Sequence, residues 1–404
     1  MTDDGKTRAL LLENIHPEAV SRLESEGFLV ETVRGALDEP ELIERIAGVT
    51  LLGIRSKTQV TPAVLRAADR LAVIGAFCIG TDQIDLAAAA GEGIAVFNAP
   101  FSNTRSVVEL AIAEIIAMTR RLTEKNAAMH AGLWNKDASG AHEVRGRRLG
   151  IVGYGNIGTQ LSVLAENLGM HVYYYDSADK LALSNARRCE TLDELLDVAD
   201  VVTLHVDGRP GNSGFFGAAQ FARMRQGSLF LNLSRGFVID HAALREHLES
   251  GHIAGAAVDV FLDEPKSKGD EFVSALRGLP NVILTPHIGG STEEAQADIG
   301  RFVANKLSTF MADGSTTLSV NMPTVALPQH DATHRLAHVH RNVPGVLAQV
   351  NSILAAHSVN VEGQLLATRG ELGYLLTDIG RDFSDEVLTE LRAMDATVGI
   401  RVLS

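Results

Sequence analysis

The sequence predicts an α/β protein in which two parallel-sheet domains, the first of them discontinuous, precede a smaller α+β domain. Short β-rich apolar runs alternate with helix-like runs over most of the 404 residues, which is typical of parallel βαβ sheets. A glycine-rich turn separates a strand-like run from a helix-like run at Gly153. The last segment, residues 331–404, changes to the order βαββαβ, which indicates a different fold.

The first domain is predicted over residues 1–102 and 290–330. Its strand-like and helix-like runs alternate, at 9–12, 17–26, 51–54, 62–68 and 71–76. Residues 106–131 lack proline and glycine and keep a helical period, so one long helix is expected to leave this domain. A second long helical stretch at 292–311 is expected to return and pack on the N-terminal region. We therefore expect a flavodoxin-like domain that is discontinuous in sequence.

The second domain is predicted over residues 103–289 as a Rossmann fold, because tandem βα units resume at Leu149. Strand-like runs lie near Val172 and Val201 and at 149–152, 228–232, 254–259 and 282–284. The run at 149–152 leads into a glycine-rich turn, and the run near Val172 ends at the acidic residue Asp176. A strand before the turn, a helix-like run after it and an acid closing the next strand together favour a dinucleotide site.

The glycine-rich turn is expected to bind the pyrophosphate of NAD. Gly153 allows a tight turn, Gly155 lets backbone N–H groups approach the pyrophosphate, and Gly158 lets helix and strand pack closely. The predicted cofactor contacts in the turn are Gly153, Gly155, Asn156, Ile157 and Gly158. Asp176 is expected to accept hydrogen bonds from the ribose hydroxyls and to repel a 2′-phosphate, which favours NAD over NADP. The alternative is a glycine turn without a ligand.

Three further segments end predicted strands, at the edge of the sheet where ligands bind. They are Asn232-Leu233-Ser234-Arg235-Gly236, Asp259-Val260-Phe261-Leu262-Asp263-Glu264 and Thr285-Pro286-His287-Ile288-Gly289-Gly290. Oxidation of a secondary alcohol with NAD requires a base, and His287 is the candidate because imidazole exchanges protons near neutral pH. Glu264 is expected to fix the tautomer of His287, and Arg235 to bind a substrate carboxylate with two hydrogen bonds. The cofactor contacts predicted here are Leu233, Ser234, Arg235, Asp259, His287, Gly289 and Gly290.

Residues 77–85 and 97–106, together with these motifs, resemble the D-2-hydroxyacid dehydrogenase family over nearly the whole chain. They are most similar to the branch that oxidises D-3-phosphoglycerate to 3-phosphohydroxypyruvate with NAD, in the first step of L-serine biosynthesis. The resemblance implies that Arg235, Glu264 and His287 carry catalysis. It also implies that the first domain binds substrate and that the protein is a homotetramer. The loop 207–216 is more glycine-rich than is usual in the family.

The substrate phosphate is expected to lie near Arg55, Ser56 and Lys57, which follow a predicted strand of the first domain. Arginine and lysine are the cations that proteins use to bind phosphate. Asn103 is predicted to contribute as a neighbour. Because Asn103 also precedes a helix-like stretch, a helix N-cap is the structural alternative for it, and one residue can do both.

The C-terminal segment resembles an ACT domain of ferredoxin-like fold, which binds L-serine between subunits in feedback-inhibited members of the family. The resemblance places the effector contacts at His340, Asn342 and Asn360. Asn342 lies between the predicted first strand and first helix, where a helix N-terminus and amide groups can hold the carboxylate and ammonium of an amino acid. The alternative is that Pro344-Gly345 only starts a helix and that the segment serves assembly alone.

Composition restricts the remaining classes of protein. Acidic residues outnumber basic ones by 50 to 36, which argues against nonspecific binding to nucleic acid or to anionic membranes. Apolar runs fall far short of the roughly 18–20 residues that span a membrane, and the acidic N-terminus does not resemble a targeting signal. We therefore expect a soluble, cytoplasmic protein. Cys78 and Cys189 have no partner at metal-ligand spacing, so no metal is expected.

Two other functions fit part of these observations. A 2-ketoacid reductase acting on hydroxypyruvate, glyoxylate or 2-oxoglutarate would use the same Arg235, Glu264 and His287, and only residues of the substrate domain discriminate. NAD-sensing transcriptional corepressors share the family fold and act as binding modules. They lack the C-terminal ferredoxin-like segment, which makes this class the weaker alternative.

Overall fold

The computed structural model describes residues 7–265, 269–328, 334–380 and 384–403. The chain divides into two compact units, of which the first comprises Met1–Pro100 and Gln296–Ser404 and the second Phe101–Ala295. The predicted boundary between residues 330 and 331 lies outside the described residues, and the division into three domains stays a prediction. None of the helices in the described ranges combines the length and the apolar character needed to span a membrane.

The N-terminal part of the first unit is a five-stranded parallel sheet. Its strands are β1 (Arg8–Leu11), β2 (Leu29–Thr32), β3 (Leu51–Ile54), β4 (Val73–Ala76) and β5 (Ala95–Phe97). The helices between them are α1 (Pro17–Ser25), α2 (Glu39–Ile46), α3 (Pro62–Ala67) and α4 (Leu86–Gly91). The spatial order β2-β1-β3-β4-β5 is the flavodoxin-like order, as predicted. The mostly exposed edge strand β2 was not predicted, since only buried strands give apolar runs.

The second unit is built on a seven-stranded parallel sheet. Its strands are β6 (Arg148–Val152), β7 (His171–Tyr175), β8 (Arg187–Arg188), β9 (Val201–Leu204), β10 (Ser228–Asn232), β11 (Ile253–Val258) and β12 (Val282–Leu284). Its helices are α5 (Thr104–Thr119), α6 (Leu122–His130), α7 (Asn156–Asn167), α8 (Leu192–Val198), α9 (Ala218–Arg223) and α10 (His241–Glu249). The order β12-β11-β10-β9-β6-β7-β8 contains the Rossmann arrangement, and its direction of winding reverses between β6 and β9.

The prediction of a single long helix over residues 106–131 is wrong, because α5 and α6 are separate helices. Arg121 lies between them with a left-handed backbone (φ 52°). The carbonyl of Thr119, at the end of α5, accepts a hydrogen bond of 2.8 Å from the backbone N–H of His142. A residue of a distant loop thus donates to a carbonyl at the end of α5, which would otherwise be available to continue the helix. The Arg121 guanidinium binds Glu124 in the first turn of α6. Neither contact could be predicted from the helix propensities of the residues.

The C-terminal part of the chain forms α11 (Glu293–Asp313) and a four-stranded antiparallel sheet with two helices. Its elements are β13 (His334–Arg341), α12 (Val346–Ala356), β14 (Val361–Arg369), β15 (Leu372–Ile379), α13 (Asp385–Arg392) and β16 (Thr397–Leu403). The strand order β14-β15-β13-β16 and the sequence βαββαβ confirm the predicted ferredoxin-like fold.

The two sheets of the first unit share one hydrophobic core with α11. Leu11 and Phe97 of the N-terminal sheet, Leu307 and Phe310 of α11, and Leu376 of the C-terminal sheet belong to it. This core confirms that α11 returns to the N-terminal region. Buried charges lie at its edge, where the Arg335 side chain, 2 % exposed, donates to both carboxylate oxygens of Asp378 at 2.6 and 2.8 Å. The same guanidinium donates at 3.0 Å to the carbonyl of Asp313, the last residue of α11.

Candidate active site

The turn after β6 has the geometry of a dinucleotide-binding loop. Gly153 adopts a left-handed backbone (φ 93°), and a Cβ at that position would lie 2.5 Å from the carbonyl oxygen of His205. A Cβ at Gly158 would collide with the carbonyl oxygen of Gly153, so both positions require glycine. Helix α7 begins directly after Gly155, no side chain of the described residues caps its N-terminus, and the space beside Gly155 is open. Uncapped N–H groups and open space suit a pyrophosphate.

Asp176 follows β7 and lies beside this turn. Its Oδ2 accepts a hydrogen bond of 2.8 Å from the backbone N–H of Tyr154, inside the glycine-rich turn. Its Oδ1 accepts a bond of the same length from the N–H of Ala178. The carboxylate is thus held in place, and each oxygen retains a lone pair for a ligand hydroxyl.

His287 and Glu264 form a hydrogen-bonded pair. His287 Nδ1 lies 2.8 Å from Glu264 Oε2, and Glu264 Oε1 accepts a bond of 3.2 Å from the N–H of Phe261. The hydrogen bond to Glu264 raises the pKa of His287 against the opposing effect of burial. Burial opposes ionisation of Glu264, but the bond and charge of His287 outweigh it and lower the pKa of that carboxyl. An Nδ1–H that donates to a carboxylate leaves Nε2 to exchange a proton with a ligand.

Asp259 anchors the loop that carries His287. The carboxylate, 2 % exposed, accepts hydrogen bonds from Thr285 Oγ1 at 2.6 Å and from the N–H groups of Ile288 and Gly289 at 2.8 Å each. The N–H of His287 donates to the backbone carbonyl of Asp259, also at 2.8 Å. His287 has a left-handed backbone (φ 54°), a conformation that costs a non-glycine residue on the order of 1 kcal/mol. Asp259 thus holds the histidine loop, a role that was not predicted, and its expected contact with the cofactor stays a prediction.

Arg235 lies in the loop after β10 and is held through its neighbours. Asn232 Oδ1 accepts hydrogen bonds from the N–H and the hydroxyl of Ser234, at 3.1 and 2.7 Å, and Asn232 Nδ2 donates to the carbonyl of Arg235 at 3.0 Å. A Cβ at Gly236 would collide with the backbone of Phe261, so this loop lies against the segment that carries Glu264. Arg235 also contributes to lowering the pKa of Glu264. The second unit therefore brings Arg235, Glu264 and His287 together.

Asn103 lies against the end of the histidine loop. It precedes α5 but makes no side-chain capping bond, so the interpretation of its side chain as an N-cap is wrong. A Cβ at Gly290 would collide with the Asn103 amide nitrogen, which explains why the loop has glycine there. The Oδ1 of Asn103 is buried and has no hydrogen-bond partner among the described residues. A buried acceptor in this state suits a polar ligand.

Arg55, Ser56 and Lys57 lie in the first unit, in the loop that follows β3. Arg55 is partly exposed, while Ser56 and Lys57 are exposed. All three residues are at least partly exposed, and their role in binding phosphate stays a prediction.

Two of the predicted effector residues, His340 and Asn342, lie at one end of the C-terminal sheet, and the third, Asn360, lies at the opposite end. His340 is 2 % exposed, its Nδ1 lies 2.8 Å from the carbonyl oxygen of Arg341, and its buried Nε2 has no hydrogen-bond partner in the described ranges. Asn342 donates at 3.0 Å to the carbonyl of Gly370, in the turn between β14 and β15. Asn360 is exposed and precedes β14. The structure thus places these residues near strand ends, with one unsatisfied buried nitrogen.

Glu114 was not predicted as part of the site. It lies on α5, is 3 % exposed, and neither of its carboxylate oxygens has a hydrogen-bond partner within the described residues. Burial, and to a smaller extent the charge of Asp259, raise the pKa of Glu114 to about 8. An ionisable residue inside the apolar run 110–118 is the sequence signal that identifies it.

Comparison with known proteins assigns this site to a class. Residues 112–289 match the family model described as D-isomer specific 2-hydroxyacid dehydrogenase, NAD binding domain. Residues 336–399 match the AHAS small subunit-like ACT domain. The chain belongs to the D-isomer specific 2-hydroxyacid dehydrogenase family, and it carries a C-terminal ACT domain. The predicted family, NAD as cofactor and the ACT domain are thereby confirmed.

Relatives that match the full chain bear one particular name. The D-3-phosphoglycerate dehydrogenase of Haemophilus influenzae is 47 % identical over 402 residues, which are 99 % of this chain and 98 % of the relative. The enzyme of the same name from Escherichia coli K12 is 48 % identical over 401 residues, 98 % of each chain. Among solved structures, a glyoxylate reductase from Paecilomyes thermophila is 26 % identical with a TM-score of 0.69, covering 78 % of this chain and 98 % of its own.

Proposed function

We propose that the protein oxidises D-3-phosphoglycerate to 3-phosphohydroxypyruvate with NAD, as the first step of L-serine biosynthesis. The observation that carries this proposal is the His287–Glu264 pair, which lies in one unit with Arg235 and an uncapped dinucleotide-binding helix. The nearly full-length similarity to two D-3-phosphoglycerate dehydrogenases supports the choice of substrate.

His287 acts as the base in this reaction. Its Nε2 takes the proton of the substrate hydroxyl, while the Nδ1–H continues to donate a hydrogen bond to Glu264, whose charge stabilises the imidazolium that forms. The chemistry that bound NAD would supply is an acceptor for the hydride of the carbinol carbon. Arg235 binds the substrate carboxylate, and Asp259 keeps His287 in its left-handed conformation. The dinucleotide would be held by the glycine-rich turn and the acid beside it, namely Gly153, Gly155, Asn156, Ile157, Gly158 and Asp176.

The phosphate distinguishes this substrate from those of related enzymes. We assign it to the side chains of Arg55, Ser56 and Lys57. Asn103 is assigned as a further substrate contact, because its buried Oδ1 has no hydrogen-bond partner among the described residues. Substitution of Arg55 or Lys57 should then weaken phosphorylated substrates more than unphosphorylated ones.

A comparison of ketoacids tests the proposal. NADH oxidation is measured with 3-phosphohydroxypyruvate, hydroxypyruvate, glyoxylate and 2-oxoglutarate, and the highest kcat/KM is expected for the phosphorylated compound. A higher kcat/KM for glyoxylate, the substrate named for the structural neighbour from Paecilomyes thermophila, would identify a 2-ketoacid reductase instead. Binding of NAD without turnover of any ketoacid would indicate a sensor of the corepressor type.

The ACT domain supports a proposal for regulation. L-Serine binds between paired ACT domains, at His340, Asn342 and Asn360, and inhibits the enzyme from a site separate from His287, in a cytoplasmic homotetramer. Because Asn360 lies at the opposite end of the sheet from His340 and Asn342, one site that contains all three needs two subunits. The Nε2 of His340, which is buried without a hydrogen-bond partner among the described residues, and the N-terminus of α12 are groups that would hold an amino acid. Calorimetry should detect serine binding, and Asn342→Ala should relieve inhibition without changing uninhibited turnover. Absence of serine binding, with a tetramer in sedimentation experiments, would make the domain an assembly device.

A further inference from the structure

We propose that Glu13 is a positioning residue for substrate phosphate, because its carboxylate fixes the backbone of residues 55–58, here called the phosphate loop. This inference rests on the proposed function, which assigns the phosphate to that loop. Glu13 Oε1 accepts hydrogen bonds from the N–H groups of Arg55 at 3.1 Å and Thr58 at 2.8 Å. Its Oε2 accepts one from the N–H of Lys57 at 3.0 Å. One buried carboxylate, 8 % exposed, thus binds three N–H groups of the loop.

The backbone at Glu13 is shaped to make these contacts. Glu13 and Asn14 both adopt left-handed conformations, with φ of 62° and 53°. Two consecutive non-glycine residues in this region are costly, and the surrounding structure must hold them. Their N–H groups donate to the carbonyls of Gly35 at 3.0 Å and Val33 at 3.3 Å, which fixes the turn. The chain retains this strained turn at the point where the Glu13 side chain reaches the phosphate loop.

A second side chain, that of Gln83, binds the backbone carbonyl of Arg55, whose N–H group is bound by Glu13. The amide nitrogen of Gln83, which is 8 % exposed, donates at 2.6 Å to the carbonyl of Arg55. Thr58, at the end of the loop, is fully buried. The N–H and the carbonyl of Arg55 are therefore both bound, while Ser56 and Lys57 remain exposed. The backbone of the loop is fixed, and Ser56 and Lys57 reach its surface.

The arrangement determines how an anion is recognised. Successive backbone N–H groups can themselves form an anion site, but here the Glu13 carboxylate occupies three of them. These three N–H groups are therefore not available to an anion, and we assign recognition of phosphate to the Arg55 and Lys57 side chains and the Ser56 hydroxyl. Fixing the backbone in advance reduces the ordering that binding requires, so these side chains bind phosphate more tightly. Glu13 acts through the loop and does not itself contact the substrate.

Steady-state kinetics of the Glu13→Gln variant of the full-length protein test the proposal. A glutamine has one acceptor oxygen and directs its amide hydrogens at N–H groups, so at least one bond to the loop is lost. Loss of a hydrogen bond to a charged group corresponds to roughly a tenfold change in binding. We expect the KM for 3-phosphohydroxypyruvate to rise about tenfold, with a smaller rise for hydroxypyruvate and little change in kcat. Glu24→Gln, at an exposed position of α1, is the matched control.

Two further measurements separate positioning from general stability. In the Lys57→Ala background, Glu13→Gln should raise the KM for the phosphorylated substrate much less, because the side chain through which it acts is gone. Amide hydrogen exchange of residues 55–58 should become faster in Glu13→Gln, whatever the enzyme's substrate. An unchanged KM for 3-phosphohydroxypyruvate, or unchanged exchange in this loop, overturns the proposal.

The proposed function and the proposed role of Glu13 can fail separately. If hydrogen exchange in the loop responds to Glu13→Gln but the unmutated enzyme does not prefer phosphorylated ketoacids, the loop is held as described and the substrate assignment is wrong. If Glu13→Gln does not fold, Glu13→Asp serves instead, since the shorter side chain keeps the charge but cannot reach all three N–H groups of the loop. A folded Glu13→Asp variant with unchanged KM for the phosphorylated substrate likewise overturns the proposal.

Discussion

The Nδ1 atom of His287 lies 2.8 Å from Oε2 of Glu264, and this bond fixes which nitrogen of the imidazole is left for chemistry. The pair is partly exposed, with 46 % of the histidine and 37 % of the glutamate side chain accessible to solvent. A ligand can therefore reach the imidazole without rearrangement of the pair. Together with Arg235 in the same unit, it defines the groups whose removal should abolish turnover.

His287→Ala and Arg235→Ala should each reduce kcat by orders of magnitude in a steady-state assay. General acid–base catalysis contributes roughly 10²–10⁴-fold, and an arginine that binds a carboxylate with two bonds positions the substrate for hydride transfer. His171→Ala, at an exposed position of β7, is the control and should retain normal turnover. Near-normal activity of the His287 variant at neutral pH would show that another group is the base.

Glu264→Gln should move the pH dependence of activity to lower pH. The hydrogen bond to Glu264 raises the pKa of His287, so its loss lowers that pKa. Alcohol oxidation needs neutral imidazole and is active above the pKa, so its acid limb should shift down. Ketoacid reduction needs imidazolium and is active below the pKa, so its alkaline limb should shift down too. Profiles of kcat/KM in both directions check this, and a shift to higher pH would contradict the proposed role of Glu264.

Asp176→Ala should relax the preference for NADH over NADPH. The Asp176 carboxylate is held beside the glycine-rich turn by the N–H of Tyr154, where it would repel a 2′-phosphate. Its removal should raise kcat/KM with NADPH and lower it with NADH. Equal use of both nucleotides by the unmutated enzyme would remove the basis of this expectation.

Glu114→Gln should stabilise the protein, and more so at alkaline pH. Burial raises the pKa of Glu114 from 4.5 to about 8 in the folded protein. Between these values the unfolded chain releases a proton that the folded protein keeps, so the free energy of unfolding falls as pH rises. Glutamine has no such proton, and the gain in Tm should be larger at about pH 9 than at about pH 6. Glu109→Gln, exposed on the same helix, is the control, and an equal effect at both pH values would refute a neutral Glu114.

The site residues that could be predicted from the sequence are those in loops at the carboxyl ends of parallel strands. Arg235, Glu264 and His287 come together because parallel strands β10, β11 and β12 are neighbours in the sheet, and this topology follows from the βα pattern. The glycine-rich turn was predictable for the same reason. Both predictions rest on local patterns whose geometry the fold class fixes.

Contacts between distant segments were not predictable in this way. The break before α6 depends on a bond between Thr119 and His142, and the left-handed His287 depends on the Asp259 carboxylate. Glu13 reaches a loop more than forty residues further along the chain. In each case the sequence shows a polar residue at a strand or helix end, but its partner is set by tertiary structure.

The core shared by the two sheets of the first unit bears on how this chain can change during evolution. Leu376 and Tyr374 of the ACT domain cover apolar residues that also belong to the N-terminal sheet and α11, and Arg335 is bound to the last carbonyl of α11. A deletion or exchange of the C-terminal segment would expose that surface to water, which favours aggregation. Recombination with an unrelated regulatory segment would thus need compensating polar substitutions in the N-terminal half. Inheritance of the ACT domain is thereby tied to that half of the gene.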